Sequence, residues 1–125
     1  MTFHAALILV VLLAFAAMGL IAIVAPLRVV EQFDIKALTA VGRNEVRAVY
    51  GGFGLAMSSV LAVALIASPL KAGICFAVGA ALAGMALGRV VSAISDKFIG
   101  KFSLIYFFVE AIGGLVLFYS SGWLG

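Results

Sequence analysis

The sequence of 125 residues contains one cysteine, Cys75, and one histidine, His4. A dithiol oxidase needs paired cysteines, and a haem or metal centre draws two or more protein ligands from facing helices. Neither can be assembled within this chain, so no metal and no cofactor is expected. Charge is scarce as well: eight basic and five acidic side chains make up 10% of the residues, against 66% hydrophobic ones. A water-soluble domain carries about a quarter charged residues and about half apolar ones. The composition therefore excludes a soluble enzyme, a nucleotide-binding module and an extracellular receptor domain. The net charge of +3 does not point to nucleic acid, because the basic residues are scattered over short segments between apolar runs.

What the sequence has in quantity is long apolar runs. Residues 5–27 and 48–70 are free of charged side chains, and each run of 23 residues is long enough to cross a hydrocarbon layer of about 30 Å. Residues 72–88 reach that length only if the helix continues through Arg89 toward Ser95, and the run from Phe102 to Trp123 is interrupted once, by Glu110. The expected fold is all-α: one integral membrane four-helix bundle over residues 1–125, with spans of about 4–27, 44–68, 71–95 and 102–123. Ala14-Phe15-Ala16 superficially resembles a signal-peptidase site, but no basic residue precedes it and the apolar run continues past it, so the first segment is read as a retained helix.

The flanking charges orient the spans. Arg28, Lys36, Arg43, Arg47, Arg89, Lys97 and Lys101 belong to the first and third connections or to the helix ends beside them, whereas the second connection contributes only Lys71. By the positive-inside rule the first and third loops are expected in the cytoplasm and both termini outside, in a bacterial inner membrane, with Tyr119 and Trp123 in an outer aromatic belt. In the first loop, Val29, Val30 and Phe33 fall on one helical face and Arg28, Glu31 and Gln32 on another, the pattern of a short turn lying on the membrane interface. Gly42 is expected to end that segment, Asn44 to cap the second span, and Glu45 to complement its positive end.

Three ionisable residues penetrate the spans from this side. At 1.5 Å per residue, Arg47 lies about 6 Å beyond Arg43, Arg89 about 10 Å before Asp96, and Glu110 about 13 Å beyond Lys101. An isolated charge at such depth costs about 2.5–3.5 kcal/mol on the insertion scale, so the three are expected to face one another. The helical faces agree: Arg47, Tyr50 or Gly51, Gly54 and Ser58 on the second span; Met85, Arg89, Ser92 and Asp96 on the third; Ser103, Tyr106, Glu110 and Gly113 or Gly114 on the fourth. A core network of Arg47, Tyr50, Arg89, Tyr106 and Glu110 is predicted. It has two readings: an ion pair that holds helices in register, or one acid facing two arginines, leaving a guanidinium for a carboxylate or phosphate. Asp96 competes as partner.

Gly51-Gly52-Phe53-Gly54 lacks the preceding strand and following lysine of a phosphate loop. Ala48, Gly52 and Ala56, like Ala80, Gly84 and Gly88, have the spacing of small-residue helix-packing faces. Ser58 and Ser59 are expected to bond back to the helix backbone, His4 to sit at the outer interface, and Cys75 to act as a small apolar residue.

The run Glu45-Val46-Arg47-Ala48-Val49-Tyr50-Gly51-Gly52, with Gly88-Arg89, Asp96 and Glu110 in the later spans, resembles a bacterial family of small four-helix membrane proteins catalogued as a domain of unknown function, of the 4345 type. The resemblance covers nearly the whole chain. It implies a compact four-helix integral membrane protein, no established activity, and a shared site at Arg47, Tyr50, Gly51, Gly52, Arg89, Asp96 and Glu110.

The function expected from these readings is non-enzymatic: an accessory subunit, or a binder of an anionic amphipathic ligand or membrane lipid. A homo-oligomer or a partner membrane protein would fit the same role. The alternative is a small proton-coupled transporter using Glu110, which resembles small multidrug exporters in length and helix number. Its acid is in the last span rather than the first, has arginine neighbours that favour the ionised form, and the strong charge bias opposes dual insertion. Fluoride channels share the size without their phenylalanine and polar-ladder residues. A lipid-modifying enzyme, with Tyr50 or Tyr106 as acid and Glu110 as base, ranks third.

Overall fold

The computed structural model describes residues 2–122, and Trp123 lies outside them. Four helices are long and apolar enough to cross a membrane: α1 (Phe3–Val24), α3 (Ala40–Ile66), α4 (Ser68–Asp96) and α5 (Lys101–Ser121). A short helix, α2 (Pro26–Val30), and a 3-10 turn (Glu31–Phe33) fill the first connection. The long helices pack chiefly as two pairs, α1 with α3 and α4 with α5.

The helix ends differ from the expected spans for identifiable reasons. The first span was expected to reach residue 27, but Pro26 lacks the N–H that would continue the ladder, so α1 stops at Val24 and the chain turns at Ala25. Thr39, not Asn44, caps α3: its Oγ1 accepts from the Gly42 N–H at 3.2 Å. Gly42 is therefore inside the helix, and Glu45 lies beyond its first turn. Pro69 occupies the first turn of α4, where a missing N–H is harmless, so that helix begins at Ser68 rather than near residue 71. At 29 residues, about 43 Å, α4 outruns a hydrocarbon layer and carries Asp96 clear of the bundle. Lys97, in the left-handed conformation, ends it.

Two apolar clusters hold the bundle. Ile8, Val11, Leu61, Cys75, Val78, Leu82 and Leu117 fill the half nearer Lys71. Ala22, Val29, Val30 and Val46 close the half that carries the other basic residues, here called the basic end. The turn between α1 and α3 thus tucks Val29 and Val30 under the bundle.

Close approach within each pair depends on glycine, but not at the positions expected. A Cβ on Gly19 would lie 2.8 Å from the Leu55 nitrogen and 2.9 Å from the Gly51 oxygen, and one on Gly54 would lie 3.1 Å from the Gly19 Cα. Between α4 and α5, Gly79 and Gly114 abut each other's carbonyls at 3.3 and 3.2 Å by the same measure. Ala48, Gly52 and Ala56 are exposed, as are Ala80, Gly84 and Gly88, and nothing lies within 4 Å of a Cβ built on Gly84 or Gly88. The two faces expected from four-residue spacing to pack are thus not the ones at the helix crossings, and the buried faces are offset from them. Ser58 and Ser59 both donate to the Leu55 carbonyl at 2.9 Å.

Candidate functional site

Arg89 continues the buried face of α4 defined by Val78, Leu82 and Ala86, and Glu110 continues that of α5 defined by Gly114 and Leu117. The two faces meet, so the charges do. Arg89 Nε donates to Glu110 Oε1 and Oε2 at 2.8 and 2.7 Å, and Nη2 lies 2.6 Å from Oε1. Glu110 is only 3% exposed, whereas the Arg89 side chain keeps 24% of its surface open. Among the described residues this is the one ion pair. Glu110 therefore pairs with Arg89 and not with Arg47.

Two aromatic rings flank the guanidinium. Arg89 Cζ lies 5.8 Å from the centre of the Phe33 ring and 5.7 Å from that of Tyr106, and those rings are 5.5 Å apart. Tyr106 occurs one turn before Glu110 on α5, and its hydroxyl donates to Gln32 Oε1 at 2.7 Å. Tyr50 is within electrostatic range of Arg89 but is 37% exposed. Gln32 and Phe33 are the members that sequence reasoning missed. Gln32 falls on the polar side of the expected interfacial turn, yet the 3-10 geometry of Glu31–Phe33, ended by left-handed Asp34, turns it inward. The available signal was Tyr106 itself, since a tyrosine in an apolar interior needs a partner for its hydroxyl.

Arg47 was expected in this network and is elsewhere. Residues Arg47–Gly52 form a π-helical segment inside α3. This is the Arg-Ala-x-Tyr-Gly-Gly part of the motif, and its wide turn lays Gly51 against Ile23 of α1. Arg47 Nε then donates to the Ile23 carbonyl at 3.0 Å. Because α1 ends at Val24, that carbonyl has lost its helical partner and sits at the negative end of the helix dipole. Arg47 is an end-cap for α1, and the residue is exposed. Asp96 is exposed and forms no ion pair among the described residues, which removes it as the competitor for Arg89. Met85 and Ser92, expected on the Arg89 face, are exposed too. Gly51 is buried at the α1 crossing, and Gly52 is exposed.

A carboxylate gripped by three short contacts and almost closed to the outside is a poor general base, because the ion pair would have to open before a substrate could reach it. Among the described residues no group of three His, Cys, Asp or Glu side chains is arranged to hold a metal.

The chain is thus an all-α bundle of four membrane-length helices organised around one buried cross-helix ion pair. It belongs to the family described as Domain of unknown function (DUF4345), which it matches over residues 3–120. No curated protein and no solved structure matches it.

Proposed function

We propose that this is a non-enzymatic integral membrane protein of a bacterial inner membrane, with its basic end in the cytoplasm, which binds an anionic amphipathic molecule or lipid through Arg47. The observation that carries the reading is the charge balance at the basic end. Glu110 neutralises Arg89, and Arg47 is left with one carbonyl partner and no carboxylate within 4.0 Å among the described residues. Its position level with the end of α1 is where lipid phosphates lie, and a planar guanidinium can hold a phosphate or carboxylate by two parallel bonds. The Arg89, Glu110, Tyr106 and Gln32 cluster is the rigid polar core that supports this surface. An accessory role, in which the bound lipid or the Arg47 surface meets a partner membrane protein, is compatible with the same site.

Native mass spectrometry of the protein extracted from membranes tests it. An anionic lipid or fatty acid should co-purify with the parent and with Tyr106→Phe, and be lost in Arg47→Ala while the four helices persist. If no such molecule co-purifies and added anionic lipids do not raise thermal stability, the reading is wrong. The transporter alternative makes the opposite forecast, a substrate-dependent proton flux in proteoliposomes that disappears in Glu110→Gln.

A further inference from the structure

The end of the bundle remote from Arg47 and Glu110 carries a second polar site. A cavity of about 280 Å³ opens there between the start of α1, the start of α4 and the end of α5, lined by His4, Ser68, Lys71, Ser120 and Ser121 among others. Two of its residues hold buried polar atoms without a hydrogen-bond partner among the described residues, His4 Nδ1 and Ser120 Oγ. Ser120 is only 6% exposed. A buried hydroxyl and a buried ring nitrogen left unpaired in residues lining one cavity are costly, and they are what a bound polar group would repair. The His4 ring is held in place by stacking on Tyr119, with centroids 4.8 Å apart and planes 20° from parallel.

The charge around the cavity has one sign. Lys71 is the basic residue at this end, the five acidic residues all belong to the other half of the bundle, and Lys71 forms no ion pair among the described residues. The 29-residue helix α4 begins at the rim with no side-chain cap, so the positive end of its dipole adds to the Lys71 charge. Ser121 donates its hydroxyl to the Phe118 carbonyl at 2.6 Å and is outside the donor set.

We propose that this pocket binds a phosphate oxyanion. Lys71 supplies the countercharge, and the Ser120 and Ser68 hydroxyls, with the His4 imidazole as its Nδ1–H tautomer, supply hydrogen bonds. The phosphate can be free or the headgroup of a phospholipid, and a cavity of headgroup size at the lipid-facing end of a helical bundle accepts either. The site shares no residue with the Arg47 surface, so each stands or falls separately.

Thermal unfolding of the full chain in non-ionic detergent tests it in two arms: inorganic phosphate against chloride at equal ionic strength, and phosphatidylglycerol doped into the micelle. Stabilisation by inorganic phosphate identifies free phosphate as sufficient, and stabilisation by phosphatidylglycerol alone identifies the headgroup. In either case Lys71→Gln should weaken the apparent affinity by about tenfold or more, the scale of one charge-assisted contact. Ser120→Ala should also weaken it, although the unliganded variant unfolds no earlier than the parent. The phosphatidylglycerol arm is repeated in Arg47→Ala, where the response that remains belongs to this pocket. The proposal is overturned if neither phosphate source stabilises the parent beyond chloride, or if Lys71→Gln and Ser120→Ala bind as the parent does.

Discussion

Replacing Arg89 by leucine separates a structural ion pair from an ornamental one. The substitution leaves the Glu110 carboxylate 3% exposed with no cation, because Arg47 is held at the Ile23 carbonyl and does not pair with it. Breaking a buried pair by removing one partner typically costs about 3–5 kcal/mol, and little here would soften it. Glu110→Leu is milder. It leaves Arg89, whose side chain is 24% exposed, with a long stem, two aromatic faces and a short path to the interface. About 2–3 kcal/mol is expected, at or below the insertion cost of an isolated arginine. The double variant Arg89→Leu/Glu110→Leu removes both charges and should fall within about 1–2 kcal/mol of the parent, so the cycle should show coupling of about 3 kcal/mol or more. Cys75 provides the assay. It is fully buried in the opposite half of the bundle, so its labelling rate by a thiol reagent in mixed micelles follows the population of opened molecules rather than local fraying near the pair. Single substitutions that each cost less than about 1 kcal/mol and simply add would refute the argument, since that is the behaviour of an exposed pair.

Further outcomes follow from the same geometry. Gly19→Ala should lower thermal stability sharply, because its methyl would meet Leu55 and Gly51 backbone atoms, while Gly88→Ala, with open space around it, should be neutral or slightly stabilising. Tyr106→Phe should cost about 1 kcal/mol by equilibrium unfolding, the net worth of its bond to Gln32, and Gln32→Ala, which leaves the Tyr106 hydroxyl unpaired, should cost at least as much. Single cysteines at Lys36 and Lys71 in a Cys75→Ala background should react with an impermeant maleimide from opposite sides of sealed vesicles. Labelling of both from one side would contradict the proposed orientation.

The four long helices were legible because composition leaves no other solvent for such runs, and a lone acid within an apolar helix must find a cation. Length, apolarity and the depth of Arg89 and Glu110 are local properties of the chain. The position of Arg47 was not legible from depth and face, because both presume a regular helix, and the π-helical segment shifts the face on which every earlier residue of α3 projects. Gln32 was missed for a related reason: a 3-10 turn changes its direction within three residues. The small-residue spacings misplaced the helix contacts because alanine and glycine on a lipid-facing surface obey the same four-residue spacing as those at a crossing, and only the positions of neighbouring helices separate them.

The π-helical segment also makes a forecast that distinguishes its role from that of the arginine alone. Inserting one alanine immediately after Gly52, where the winding is regular again, would rotate everything before the insertion by about 100° relative to residues 53–66. Arg47 would then point away from the Ile23 carbonyl, and Val46 would leave the cluster it forms with Ala22, Val29 and Val30. The loss combines one charge-assisted cap of about 1–2 kcal/mol with one buried valine of about 1.5–3 kcal/mol, so the insertion should be clearly more damaging than Arg47→Ala, which forfeits only the cap. Equilibrium unfolding of the two variants side by side reads the difference. If the insertion is no worse than Arg47→Ala, the segment is a local accommodation of Gly51 and Gly52 at the α1 crossing. If it is worse by the valine's share, the Arg-Ala-x-Tyr-Gly-Gly run acts as one unit, setting the rotation of the first part of α3 so that one side chain closes α1 and another seals the basic end.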